Sequence, residues 1–401
     1  MSFATCSKRR VLVTGVGIVS PLGVGVEANR DSLRRAKDAV SEVTSFDVSR
    51  TRCKTAGQIP DDWLANKLEL SRKTKRLHRS SHMMIAALHE AFTSAARPNP
   101  ELLVVATSSG GMSNGERFYR RLLAAAPRRS DPELVANYMP QKPVLDALWA
   151  ARIRAPVQII SNACSSGSNA IGHAFELVKA GMHECVFAGG YDPLGELVFV
   201  GFDSLQAATP EKIRPFDRHR SGLVLGEGAA MLVLESEASA IRRGVSAVAE
   251  VIGYGVSTDT YHMTQPNPSG IGPRMAMERA LRTANAEAGS INYINAHGTA
   301  TIFNDATEGL AISALFGQVP VSSTKSMMGH ALGAAGAIEA AFCAVALRDQ
   351  FLPPNINFRE PDPESRFQVV ANRALPAKIE RALSNSFGFG GTNASLVLQR
   401  V

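Results

Sequence analysis

One order of strand and helix signals runs through this chain twice, and that repetition limits its fold more than any other feature. β-Branched runs closed by Gly or Ser mark strands. In the first half they are RVLVTGVGIV, ELLVVATSSGG, VQIISNACSSG, CVFAGG and AAMLVLES, the last two flanking a long insertion from Tyr191 to Gly228. After Arg243 the order returns as AVAEVIGYGV, INYINAHGTAT, VPVSSTKSMMGHALGAAGAIEAAFCAVAL, RALSNSFGFGG and ASLVLQR. Helical stretches such as SHMMIAALHEAFTSAAR lie between strands. Two halves of one element order predict a duplicated α/β architecture. The halves are 1–243, carrying Cys164, and 244–401, carrying His297, Lys325 and His330. No Pro/Ser-rich linker separates them, so they are expected to form one fused body.

In each half the third strand runs into a glycine-rich turn and then a helix. The first such turn carries Cys164, the second Lys325 and His330. Open α/β sheets hold ligands beyond the carboxyl ends of their strands. Halves packed about a pseudo-twofold axis would bring these turns together, and His297, in NAHGT at the end of another strand, lies within reach of the same place.

Cys164 sits among Ala163, Ser165, Ser166 and Gly167 rather than among large apolar neighbours. SSGSNAIGHAFELVKAG has helical spacing beginning at Cys164, and a helix N-terminus favours a thiolate. Most cysteines are buried and inert, but small neighbours and a strand-to-helix turn favour a nucleophile. Cys185 and Cys343 lie in apolar runs and are expected in the core. His297 and His330 each follow a strand signal and precede a small residue, a pattern open to a structural or a catalytic role. Glu339 falls among apolar residues and needs a partner, for which Lys325 is the nearest candidate. The loop NSFGFGGTN can turn backbone N–H groups toward a developing oxyanion.

The 401 residues carry a net charge of +7 and are 45% hydrophobic and 20% charged, a globular composition. Five cysteines, odd in number and without a CxxC, speak against a disulfide framework or a zinc site and fit a reducing, cytoplasmic compartment. Gly15, Gly17, Pro21 and Gly23 break the first apolar run, so no leader peptide is expected. No stretch approaches the ~18 apolar residues of a membrane span. The densest basic cluster, Ser71 to Arg79, lacks interleaved aromatics and so does not resemble a single-strand nucleic-acid binder. It reads as a solvated face or as a landing site for an acidic partner.

Taken in order, VLVTGVGIVSPLG, ACSSG, RPFDRHRSGLVLGEGA, TDTYHMTQP, NAHGTAT, TKSMMGHALGAAGAIEA and NSFGFGGTN resemble the motifs of the elongating β-ketoacyl-acyl-carrier-protein synthases of the thiolase superfamily. The resemblance covers nearly the whole chain. It implies the five-layered αβαβα thiolase fold and an acyltransferase. The reaction implied is decarboxylative Claisen condensation of an acyl group on Cys164 with malonyl-acyl-carrier protein, giving 3-oxoacyl-acyl-carrier protein, in fatty-acid or polyene/polyketide synthesis.

Residue by residue, the resemblance makes Cys164 the acyl acceptor. His297 and His330 become the histidines that decarboxylate malonyl and stabilise the enolate. Lys325 organises the site, with Glu339 as its buried acid. Phe389 is the gate, in a loop with Gly388 and Gly390, and its amide forms an oxyanion hole with that of Cys164. Thr299 and Thr301 hold the phosphopantetheine arm. No free cofactor or metal is implied, since phosphopantetheine arrives on the carrier protein. Arg72, Lys73, Lys75 and Arg76 become the docking site for the acidic carrier. A homodimer or a heterodimer with a related chain is implied.

The sequence departs from the family at Ile302 and Phe303, where a proline is usual, and in ACSSG, where a threonine version is commoner. Both leave room for a specialised pathway. A degradative thiolase would carry a second cysteine where this chain has SFGFGG. An initiating synthase would replace the KSMMGH histidine. A chain-length factor, the accessory partner subunit, would lack Cys164.

Overall fold

Every residue of the opening strand β1 (Val11–Ser20) is buried, which explains why VLVTGVGIVS carries no charge and does not alternate between apolar and polar positions. The computed structural model describes residues 9–68, 74–124 and 131–401. The first half continues with helix α1 (Arg79–Ser94), strands β2 (Leu102–Ala106) and β3 (Val157–Ile160), helix α2 (Ser166–Lys179), and strands β4 (Cys185–Asp192) and β5 (Gly228–Ser236). The second half repeats this with β6 (Ala249–Thr258), α3 (Ile271–Ala284), β7 (Tyr293–Asn295), α4 (Ile302–Phe316), β8 (Pro320–Ser322), α5 (Ala335–Asp349), β9 (Arg381–Gly388) and β10 (Thr392–Gln399).

Strand order makes the duplication concrete. The first half runs β3-β2-β4-β5-β1 and the second β8-β7-β9-β10-β6. In both, the first three strands in that order are parallel neighbours and the remaining pairings are antiparallel. The halves meet where β1 pairs antiparallel with β6, Val11 opposite Val251 and Val13 opposite Ala249. The symmetry extends to close backbone approaches. A Cβ on Gly17 would lie 2.0 Å from the carbonyl oxygen of Ala87 in α1, and one on Gly255 would lie 2.2 Å from that of Ala276 in α3. Only glycine lets these helices sit so near their strands.

Helices α2 and α5 pack on each other and on strands from both halves, while α1 covers the outer face of β1 and β5 and α3 that of β6 and β10. The result is the α–β–α–β–α layering implied by the resemblance. Every residue of α5 from Ala335 to Leu347 is buried, so this helix has no polar face to betray it in the sequence. Each fully buried Ile, Leu or Phe there contributes about 1.5–3 kcal/mol. Among the described residues, no helix is long and apolar enough to cross a membrane.

Candidate active site

The turn that presents Cys164 is built from small and hydroxylated residues. Ala163 adopts φ +57°, a left-handed conformation that costs a non-glycine residue energy and marks a site the surroundings hold in place. Ser166 Oγ accepts from the Asn162 N–H at 2.8 Å and donates to the Ala163 carbonyl at 2.5 Å. Ser165 Oγ and Thr392 Oγ1 lie 2.8 Å apart, and both approach the Asn162 carbonyl, at 3.0 and 3.1 Å. The nucleophile turn of the first half is thereby stitched to the glycine loop of the second.

Helix α2 starts at Ser166, two residues later than expected, and the thiolate expectation also needs correction. Cys164 is only 7% exposed. Burial pushes its thiol up to about 11, opposed by the Lys325 charge, assisted by the nearby Asp192 carboxyl, and opposed more weakly by the backbone N–H groups of Phe389 and of Cys164 itself. Desolvation of the charged form outweighs the opposing charge and amides here. Cys53, Cys185 and Cys343 are also free and buried. The core expectation for Cys185 and Cys343 agrees with their positions in β4 and α5.

From the second half, β7 delivers His297. Glu308, in α4, accepts from the His297 and Gly298 N–H groups at 2.8 Å each and from Asn385 Nδ2 at 3.1 Å. Lys325 opens a short helix after β8. Its Nζ donates to the His297 carbonyl at 2.7 Å and pairs with Glu339 Oε1 at 2.5 Å. Burial raises Glu339 to about 7, with Lys325 opposing the shift; burial likewise raises Glu308 to about 7.

His330 follows that short helix, its N–H donating to the Val224 carbonyl at 2.8 Å. The two imidazoles stand edge to face, centroids 5.3 Å apart at 85°. Burial first, then the Lys325 charge, holds both well below the usual histidine range, so both are neutral. His297 Nδ1 and both ring nitrogens of His330 have no hydrogen-bond partner among the described residues.

A cavity of about 210 Å³ joins these groups. Cys164, His297, His330, Thr299, Thr301, Gly388, Phe389 and Gly390 all line it. Lys325 and Glu339 stand behind His297 instead. Thr299 Oγ1 and Thr301 Oγ1 are 2.9 Å apart. The Phe389 ring stacks on Phe202, centroids 5.6 Å apart. The departures Ile302 and Phe303 line the same cavity and are exposed. Of the basic cluster, Arg72 and Lys73 lie outside the described residues, as does the Lys75 side chain, while Arg76 is exposed. Among the described residues, no three His, Cys, Asp or Glu side chains are grouped to hold a metal ion.

Sequence reasoning missed Glu308, Asp305 and Phe387. Asp305 accepts from the Ala300 and Phe216 N–H groups at 3.1 and 2.8 Å, and the Phe387 ring lies 5.9 Å from that of His297. The signal for the two acids was their i, i+3 spacing on an otherwise apolar helix, which points both carboxylates the same way.

Two family models match the chain, the beta-ketoacyl synthase N-terminal domain over residues 8–240 and the C-terminal domain over 248–359. The chain belongs to the β-ketoacyl synthase family. A 3-oxoacyl-acyl-carrier-protein synthase 2 from Synechocystis is 35% identical, with 99% of each chain covered. Among solved structures, the ishigamide ketosynthase/chain length factor superposes with a TM-score of 0.93 at 32% identity, covering 98% of this chain and 100% of that one. A type II PKS ketosynthase in complex with its acyl-carrier protein superposes with a TM-score of 0.88 at 28% identity and the same coverage. As a β-ketoacyl synthase, the chain is an acyltransferase of the thiolase fold.

Proposed function

We propose that this β-ketoacyl synthase condenses an acyl group held on Cys164 with malonyl-acyl-carrier protein. The observation that carries the reading is the convergence, at one cavity, of a thiol beside the backbone N–H groups of Phe389 and Cys164 and of two neutral imidazoles from the other half of the chain.

In the first step the Cys164 sulfur displaces the carrier thiol from an acyl thioester. The thioester oxygen occupies the place where the Phe389 and Cys164 amides converge, so negative charge there is met by donors already in position. Malonyl then enters on its pantetheine arm, with Thr299 and Thr301 beside it and the Gly388–Gly390 loop opposite. Its terminal C–C bond breaks, carbon dioxide leaves, and the electron pair moves onto the thioester as an enolate. A neutral imidazole still carries one N–H, and His297 and His330 each donate one to that oxygen. The enolate carbon attacks the Cys164 thioester, the C–S bond breaks and the thiolate leaves. Lys325 and Glu339 hold the His297 backbone in place.

Cys164, with both histidines and Lys325, supports the condensing subunit over a chain-length factor. We place the protein in the cytoplasm and divide the chain into halves 1–243 and 244–401. It pairs with a second copy or a related chain: β3 is an edge strand whose Val157, Ile159 and Ile160 are only half-buried, and an open apolar edge invites pairing. The test is incubation with acyl-carrier protein, mapping of the adduct by mass spectrometry, and assay with malonyl-carrier protein. An acyl group on Cys185 or Cys343, or no 3-oxoacyl product, overturns the reading.

A further inference from the structure

Asp192, the last residue of β4, is fully buried and was not among the residues expected at the site. Among the described residues no cation pairs with it, while five donors do. Its Oδ1 accepts from Thr107 Oγ1 at 2.7 Å, the Ser109 N–H at 2.8 Å and Ser109 Oγ at 2.7 Å. The Ser108 N–H reaches both oxygens, at 3.1 and 2.9 Å. Its Oδ2 also accepts from the Gly333 N–H at 2.7 Å. Thr107, Ser108 and Ser109 form the turn after β2 in the first half. Gly333 belongs to the second half, three residues after His330.

The stretch from His330 to Gly333 needs such a hold. Neither ring nitrogen of His330 has a partner among the described residues, so the imidazole is aimed by its backbone. Upstream, that backbone is fixed by its bonds to Val224 and Gly226. Downstream, Leu332 adopts φ +50°, a conformation leucine keeps only when its surroundings impose it. The Gly333–Asp192 bond adjoins it and fixes the next residue of the turn. There is no slack: a Cβ on Gly333 would lie 2.7 Å from the Ser108 nitrogen and 2.8 Å from Asp192 Oδ2.

We propose that Asp192 is a positioning residue for the decarboxylation step, its carboxylate fastening the turn after β2 to the turn that aims His330. This rests on the reading that His330 meets the malonyl group. Asparagine is nearly isosteric but cannot substitute. Each carboxylate oxygen accepts a backbone N–H, so whichever way the amide is turned, its NH2 faces a donor.

The test compares Asp192→Asn, Gly333→Ala and His330→Ala with wild type in two assays, acylation of Cys164 by an acyl-pantetheine thioester and carbon dioxide release from malonyl-carrier protein. Asp192→Asn and Gly333→Ala are expected to lower kcat for carbon dioxide release by about 10- to 100-fold, the scale of an ångström of misplacement, with KM nearly unchanged. Acylation is not slowed in Asp192→Asn, since removing a negative charge near the sulfur assists the thiolate. Gly333→Ala attacks the same clamp from the other side, so the proposal stays testable if one variant fails to fold. Normal release in both variants while His330→Ala loses it overturns the role of Asp192 alone, as does an equal loss in both assays. Normal release in His330→Ala overturns the underlying reading instead.

Discussion

Lys325 Nζ donates to the main-chain carbonyl of His297 at 2.7 Å across 28 positions of sequence. The ammonium that fixes this imidazole's backbone is itself about 1% exposed, as is its partner Glu339. Such a pair contributes little net stability, because desolvation offsets the attraction, but breaking it strands a charge in a low-dielectric interior. Its return is geometric: His297 is held from below by Lys325 and through its own N–H by Glu308.

Glu339→Gln is therefore expected to cost about 3–5 kcal/mol of stability, the scale for leaving a buried charge without its partner. Urea denaturation monitored by circular dichroism measures it. A loss below about 1 kcal/mol, typical of a solvent-exposed pair, would mean that the Lys325 charge finds another partner.

The Cys164 thiol is held at about 11 by burial, so its reactivity has a definite pH dependence. A thiol raised above ambient pH gains thiolate as pH rises. The rate of alkylation by a small neutral reagent is then expected to climb about tenfold per pH unit between pH 8 and 10, since only the thiolate reacts. An ordinary cysteine would level off near pH 8.5. Mass mapping of the labelled peptide confines the measurement to Cys164, and a plateau near pH 8.5 would contradict the burial argument.

Gly388→Ala tests the oxyanion amides. A Cβ there would lie 2.7 Å from Thr392 Oγ1 and 3.1 Å from the Cys164 nitrogen, forcing apart the stitch that sets both amides. Cys164 acylation is expected to slow by about 10²-fold or more, the cost of losing one oxyanion donor, whereas melting changes little. Unchanged acylation in a stopped-flow assay would remove this loop from the first half-reaction.

Charge reversal by Lys73→Glu with Arg76→Glu is expected to raise KM for acyl-carrier protein and to leave turnover of a short pantetheine thioester unchanged. Rising salt is expected to weaken the wild-type reaction with carrier more than the mutant's, because screening acts over about 10 Å at 0.1 M. An unchanged KM would take this patch out of docking.

The duplicated architecture was legible because most strands are apolar, often β-branched, runs that recur in the same order; close approach at Gly17 and Gly255 forced even the glycines to repeat. The site residues were legible because chemistry demanded unusual company, such as a cysteine among serines or Glu339 among apolar residues. Glu308 was not, since an acid on a helix reads as solvent-facing until the fold turns it toward the His297 amide. Asp192 was hidden by the proline that follows it, which reads as a turn. Burial of the Cys164 sulfur is a property of packed layers, and local sequence carries only the opposing helix-end effect.

Thr392 Oγ1 reaches the carbonyl of Asn162 across 230 positions of sequence. Contacts so far apart along the chain carry more loop-closure entropy than local ones and are expected to form after them. Each half can fold its own strands before the thiol turn, the imidazoles and the glycine loop have met. Chemical competence therefore arrives after the bulk of the secondary structure, and acylation of Cys164 during refolding serves as a clock for the closing of the two halves. A chain stopped before that moment holds an ordinary cysteine.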